Sequence, residues 1–429
     1  MSAKNDDEQG GPAGGGRAKL SGVPPVAPAA APIVEAALKL LHEHRALDLT
    51  MREIAVAAGV APSLVAYHFE SRSHVIATAC AVAGLQWREK LAEMEKLAGA
   101  TSSMSRKAEI CSAWMASLAA DRPDLARLWG DLLLAAAREP MLAAVAQDWI
   151  SAWRAAWLSV AGGNAQFAGI AAEFAAFEMI FTAPLLGIAE RDLIMREALH
   201  RVFVRLERGK ISAQDCFWHT QLCLDRMDPL PARPEPDKAV KARIIDAAAD
   251  IIALEGTSAA THRAIAARAG ASLSSMTYHF ETRAILVREG LLRVFERSMM
   301  SSPFEGVDFS DSAQLTAAKS AGSDRGHDGL PSESLAMLRA IAEVAQEAAI
   351  DPGFREVAME LRRIRGLVTR RSIARFLGFR DVAGADAADF AIWGSGAALL
   401  HDAGPHLSGE PPISNIGYAA TVFFSRATP

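Results

Sequence analysis

In the stretch IVEAALKLLHEH the apolar residues fall at 33, 34, 37, 38, 40 and 41, which sets them along one face of a helix. Thr50 follows where it can cap a short second helix, with Ile54 and Ala58 turned inward. Gly59 can end that helix in the left-handed geometry that glycine tolerates, and Pro62 suits the first turn of a third helix. Two short helices joined by a Gly-containing turn form a helix-turn-helix, whose second helix can enter a major groove. The same steps recur further on: Thr261 caps, Ile265 and Ala269 face inward, Gly270 turns, and Ser272 caps the next helix. Sliding the chain by 211 residues aligns 33–72 with 244–283 without a gap, with 15 of the 40 positions identical. The hexapeptides YHFESR (67–72) and YHFETR (278–283) close the two copies. This is the signature of a duplicated folding unit.

Helical texture runs from 32 to about 209, broken at AGGN (161–164) and ERGK (207–210). The segment DPLPARPEPDK (228–238) carries four prolines and reads as a semi-rigid linker. Residues 301–334 lack apolar periodicity and predict a long mobile loop, after which helical texture resumes. Fainter echoes link 135–149 with 347–361, and 211–225 with 413–426. The predicted organisation is a disordered tail (1–31), a first helix-turn-helix domain (32–80), a first helical body (81–227), the linker, a second helix-turn-helix domain (239–290) and a second body (291–429).

Composition narrows the fold class. Of 429 residues, 51% are hydrophobic and only three are Tyr, which favours long amphipathic helices over strands; the chain is expected to be all-α. The N-terminal MSAKNDDEQGGPAGGG lacks the apolar core of an export signal. The longest apolar run, 179–189, lies between Glu178 and Glu190 and falls far short of the roughly 20 residues that span a bilayer. Cys80, Cys111, Cys216 and Cys223 show no CxxC spacing, which suits buried thiols in a cytoplasmic protein better than a disulfide framework or a zinc site. HEHR (42–45) lacks the HExxH spacing, no glycine-rich phosphate loop follows a strand, and no Ser/His/Asp set stands out. The expectation is a protein without enzymatic activity, metal or cofactor.

The repeated pattern T-x-R-x-I-A-x-x-A-G followed by Y-H-F-E-[ST]-R resembles the DNA-binding domain of the tetracycline-repressor (TetR) family. That resemblance implies two tandem units, each a three-helix DNA reader with a helical domain that binds an effector and dimerises. The two protomers would be joined here as an intramolecular pseudo-dimer. It further implies that Arg52 and Arg263 reach a base edge or phosphate, and that Thr50 and Thr261 set a hydroxyl and a helix N-terminus against phosphate. Bases would be read by Pro62, Ser63 and Leu64 in one copy and by Leu273, Ser274 and Ser275 in the other. Tyr67, His68, Tyr278 and His279 would flank the DNA backbone, and Arg72 and Arg283 would replace the family's usual phosphate-binding lysine. Ala66 and Thr277 stand where the family often has a further aromatic, which removes one phosphate contact.

Charge bears on which copy grips DNA. The net charge of −5 leaves DNA affinity to a local face. Residues 33–90 hold six Lys/Arg and six Asp/Glu, whereas 237–300 hold nine against seven, with a basic lead-in, KAVKAR. The second copy is therefore expected to bind DNA more strongly. In the first body, Trp149, Trp153 and Trp157 recur at i, i+4 and i+8 on one helix face. With Trp114, Trp129, Phe174, Phe177 and Phe181 they form either a core or interface stripe or a pocket for an apolar or aromatic ligand. The helices near 166–188 and 212–225 are expected to pack on 385–401 and 413–426. The basic segment 191–210 reads as an extra solvated helix or an accessory contact to DNA or a partner. The function expected is an effector-responsive transcriptional regulator, a repressor acting at the nucleoid; the alternative is an interaction adaptor whose readers no longer bind DNA.

Overall fold

A computed structural model of the chain describes residues 27–223, 239–300, 332–367, 369–370, 382–404 and 416–424, and all regular structure among them is helical. The first reader consists of α1 (Ala31–Glu43), α2 (Met51–Ala58) and α3 (Pro62–His68). Its body comprises α4 (Arg72–Gly99), α5 (Met104–Asp121), α6 (Pro123–Ala136), α7 (Pro140–Val160), α8 (Ala165–Thr182), α9 (Ala189–Arg208) and α10 (Phe217–Leu222). The second reader repeats the pattern with α11 (Ala239–Glu255), α12 (His262–Ala269) and α13 (Leu273–His279). Its body follows as α14 (Arg283–Met300), α15 (Ser332–Ile350), α16 (Arg355–Arg363), α17 (Gly384–Ala403) and α18 (Ile416–Phe424).

The reader–body boundaries expected at 80 and 290 fall inside α4 and α14, single helices that run from each reader into its body. The expected linker and most of the expected tail and loop lie outside the described residues, although 332–334, counted with the loop, begin α15. No described helix is long and apolar enough to cross a membrane.

The two units share one apolar core. Helix α8 packs along α17, and α6 packs on both α15 and α17. The α8–α17 contact is close enough to need glycine: a Cβ at Gly396 would run into the carbonyl oxygen of Glu173 and lie 2.7 Å from its carbon. Beside it, the indole N–H of Trp393 donates to the Glu173 carboxylate at 2.7 Å. The expected partnership of 166–188 with 385–401 matches this seam. By contrast, α10 packs on α9 of its own unit, and α18 packs on α17 and α9.

Helix α9 corrects the expectation for 191–210. It is a seam helix with Ile194, Met195, Ala198, Leu199, Val202 and Phe203 buried along its apolar face. Two of its arginines point at carboxylates of α17: Arg201 forms a two-pronged bridge to Asp389 at 2.7 and 2.8 Å, and Arg205 reaches Asp389 at 2.5 Å and also pairs with Asp386. Burial opposes ionisation of Asp389, yet Arg201 and Arg205 hold its carboxyl below the usual range. A basic helix reads as solvated only when its acidic partners go unseen, and here they come from the other unit.

Candidate DNA interface and effector core

Both readers are organised by their caps. The Thr50 hydroxyl accepts from Glu53 N while the Glu53 carboxylate accepts from Thr50 N, a reciprocal capping box. Thr261 accepts from Ala264 N at 3.1 Å. Gly59 and Gly270 take φ values of +66° and +60°, the left-handed turn that sends the chain into α3 and α13. Ser272 caps α13 by accepting from Ser275 N, and Pro62 opens α3. Phe69 and Phe280 are buried, and the Phe69 ring meets His74 of α4 edge-on with centroids 5.3 Å apart.

These elements bring most of the expected contact residues to the surface. Thr50, Arg52, Pro62, Ser63, Leu64 and Tyr67 are exposed on the first reader, as are Thr261, Arg263, Leu273, Ser274 and Tyr278 on the second. His68, Ser275 and His279 are half-buried. Tyr67 and Tyr278 are the most prominent, at 82% and 75% exposure, each set edge-on to the following histidine ring with centroids 5.1 Å apart.

Arg72 and Arg283 lie elsewhere. The Arg72 guanidinium donates to Leu47 O and to the Glu139 carboxylate at 2.6 Å, and that of Arg283 donates to Thr257 O at 2.6 Å and Glu347 at 2.9 Å. Each ties a reader loop to a body, so both guanidiniums are engaged within the fold. Two residues of the basic lead-in are likewise engaged by the fold: Lys241 lies over the Phe280 ring and Arg243 donates to Ala269 O.

A difference between the readers went unremarked in the sequence. Glu53 lies in the first turn of α2, and hydrogen bonds from Thr50 hold its carboxyl below its ordinary value. A carboxylate therefore already occupies the N-terminal end where a phosphate would dock. The equivalent residue of α12 is Ala264, which leaves that end open. The gapless alignment of the two copies carries this signal in one column.

The aromatic residues of the first body are packed against one another. Trp87, which the sequence reading did not single out, stacks on Trp129, Trp149 and Trp153 at centroid distances of 5.1, 5.1 and 5.7 Å, and Trp114 and Trp157 extend the cluster. Phe174, Phe177 and Phe181 are fully buried on α8. The rings themselves fill the space expected for a ligand, so these residues build a core in this state. The indoles of Trp114, Trp129, Trp149 and Trp153 donate to backbone carbonyls, whereas Trp87 Nε1 and Trp157 Nε1 are buried without a partner.

Two helix-turn-helix readers of the same construction, mounted on one shared helical body, define a DNA-binding transcriptional regulator. The family described as bacterial regulatory proteins, tetR family, matches the chain twice, at residues 33–79 and 244–289. The two matched segments are the two readers, so the chain carries two tandem TetR-like units. A comparison with curated proteins returned no match.

Proposed function

We propose that the chain is a repressor that sits as an intramolecular pseudo-dimer on an operator with two unlike half-sites and is released by an apolar or aromatic effector. The observation that carries this reading is the pair of exposed but different recognition helices, PSLVAYH and LSSMTYH, on a body built from both units. A homodimer offers identical helices to a two-fold operator, whereas this chain offers Pro62, Ser63 and Leu64 at one end and Leu273, Ser274 and Ser275 at the other. Arg52 and Arg263 add guanidiniums suited to guanine, with Thr50, Thr261, Tyr67, His68, Tyr278 and His279 along the DNA backbone.

The release step runs through α6. Trp129 of this helix belongs to the aromatic cluster, while Arg127 donates to Leu41 O and His44 O at the end of α1, and Asp131 accepts from Ala46 N at 2.5 Å. An aromatic effector with an acceptor atom would open the cluster, take the N–H of Trp87 or Trp157, and shift α6 and the first reader with it. Such a ligand acts by preferring the geometry that does not fit DNA.

Selection of duplexes from a random pool, followed by footprinting and mass measurement of the complex, tests the proposal. One chain on two unlike half-sites is expected; two chains using the same reader on identical half-sites would overturn it. Effector candidates are expected to quench tryptophan emission and raise the melting temperature, and responsive ligands that map only to the second unit would refute the assignment. The Glu53 carboxylate favours a second reading, in which the first reader is an adaptor surface without DNA affinity. That reading predicts a salt dependence unchanged by neutralising Arg52, since only phosphate contacts release counterions.

A further inference from the structure

The loops after α1 and α11 meet through a buried guanidinium. Arg45, 2% exposed, belongs to the first reader; its Nε lies 3.4 Å from Asp131 of α6, and its Nη1 lies 3.5 Å from Thr257 Oγ1 and 3.6 Å from Glu347 of α15. Asp131 and Glu343 hold the two loops in the same way, accepting from Ala46 N and Thr257 N at 2.5 Å each. Glu343 also pairs with Arg138 at 2.6 Å. Burial disfavours the Arg45 charge, but Glu343, Asp131 and Glu347 together outweigh it and keep the group firmly protonated.

This cluster breaks the internal symmetry. The residue aligned with Arg45 in the second copy is Gly256, and the one aligned with Arg138 is Ile350. Gly256 has φ +94°, and a Cβ there would lie 2.8 Å from both Glu343 oxygens and 2.9 Å from Arg138 Nη1. The first unit thus supplies Arg45 and Arg138, and the second supplies Glu343, Glu347, the cleared space and its own Arg283 on Glu347. At 3.4–3.6 Å the Arg45 contacts are more Coulombic than hydrogen-bonded, and its Nη2 is buried without a partner. Its hold therefore depends on where α6 and α15 stand.

We infer that Arg45 is a positioning residue for DNA binding: by joining the first reader to the reader loop and body of the second unit, it fixes the separation of the two recognition helices. This rests on the reading that both readers engage one duplex. Without the strut each reader keeps its own tie, Asp131 or Glu343, and its own cap; the Asp48–Ser258 hydrogen bond and the Arg138–Glu343 pair still cross the junction, but the buried guanidinium that joins the first reader to both Thr257 and Glu347 is gone.

The test uses the full chain and duplexes selected from a random pool by the wild type, rebuilt with one base pair added or removed between the half-sites. For the wild type, a one-base-pair change is expected to cost roughly tenfold in affinity, the scale of one mismatched pair. Arg45→Met should bind the altered spacings within about threefold of the original, and Arg45→Lys should restore part of the discrimination. A purely structural role would lower affinity for all spacings alike, and that result overturns the inference. Thr257→Val, which keeps its backbone bond to Glu343, provides a second arm and should broaden spacing in the same direction. If Arg45→Met does not fold, unchanged selectivity in Thr257→Val is the overturning result. Failure of the wild type to select any two-part site would instead sink the DNA-binding reading itself.

Discussion

Replacing Gly396 by alanine should part the two units. An added Cβ would overlap the Glu173 carbonyl oxygen, 2.7 Å from its carbon and 3.4 Å from Phe177 N. Ordinary contact needs about 3.4 Å or more, and both obstructing groups are backbone, so no rotamer change gives relief. Helices α8 and α17 must separate by roughly 1.5 Å or more, which removes close packing around Phe177 and stretches the Trp393–Glu173 bond; overpacking of this kind costs roughly 3 kcal/mol. Alanine in a helix recovers about 1 kcal/mol relative to glycine, which leaves a net loss of about 2 kcal/mol. Gly394, two residues away on the same helix, has nothing within 4 Å of its Cβ position, so Gly394→Ala should gain up to about 1 kcal/mol. Denaturant midpoints followed by near-ultraviolet circular dichroism would rank wild type between the two variants. Equal shifts, or a neutral Gly396→Ala, would refute a seam this close.

Three further outcomes are expected. Glu53→Ala should raise DNA affinity roughly two- to fivefold despite its weakened cap, and Ala264→Glu should lower it by a similar factor, as follows for one charge at a helix N-terminus; fluorescence-anisotropy titration would detect a failure of either sign. Burial, only partly offset by the Trp393 hydrogen bond, pushes the Glu173 carboxyl from 4.5 to about 7. The folded state then holds a proton that the unfolded state has lost, so stability falls as pH rises from about 4.5 to 7 and levels off above, by up to roughly 3 kcal/mol. Glu173→Gln should abolish that component of the melting profile, and an unchanged difference between pH 5 and pH 8 would contradict it. Asp389→Ala, which removes the carboxylate shared by Arg201 and Arg205 and leaves them Glu197 and Asp386, should cost about 2–3 kcal/mol in thermal unfolding, and a loss below about 1 kcal/mol would show those arginines to be solvated.

The readers were legible because their instructions are local. Thr50 and Thr261, Gly59 and Gly270, and the YHFE turns act within a few residues, so the same caps and left-handed turns appear in the structure. The carboxylate ties of Arg72 and Arg283 were not legible, because their partners lie 67 and 64 residues away. The seam is harder still: Arg201 and Asp389 are 188 residues apart and belong to different units. Spacing put Trp149, Trp153 and Trp157 on one face, but only tertiary packing shows Trp87 of α4 filling the space in front of Trp149 and Trp153.

The charges along the seam also make the two units non-interchangeable. The first contributes Arg201, Arg205 and Glu178; the second answers with Asp389, Asp386 and Arg362, the last pairing with Glu178 at 2.5 Å. Two first units brought together would bury the α9 guanidiniums without those aspartates, and two second units would bury Asp389 without its arginines, each an uncompensated charge in a dry interface. Joining the halves in one chain therefore does more than keep partners near each other. It also lets the two readers differ in sequence without a second gene, as PSLVAYH and LSSMTYH do.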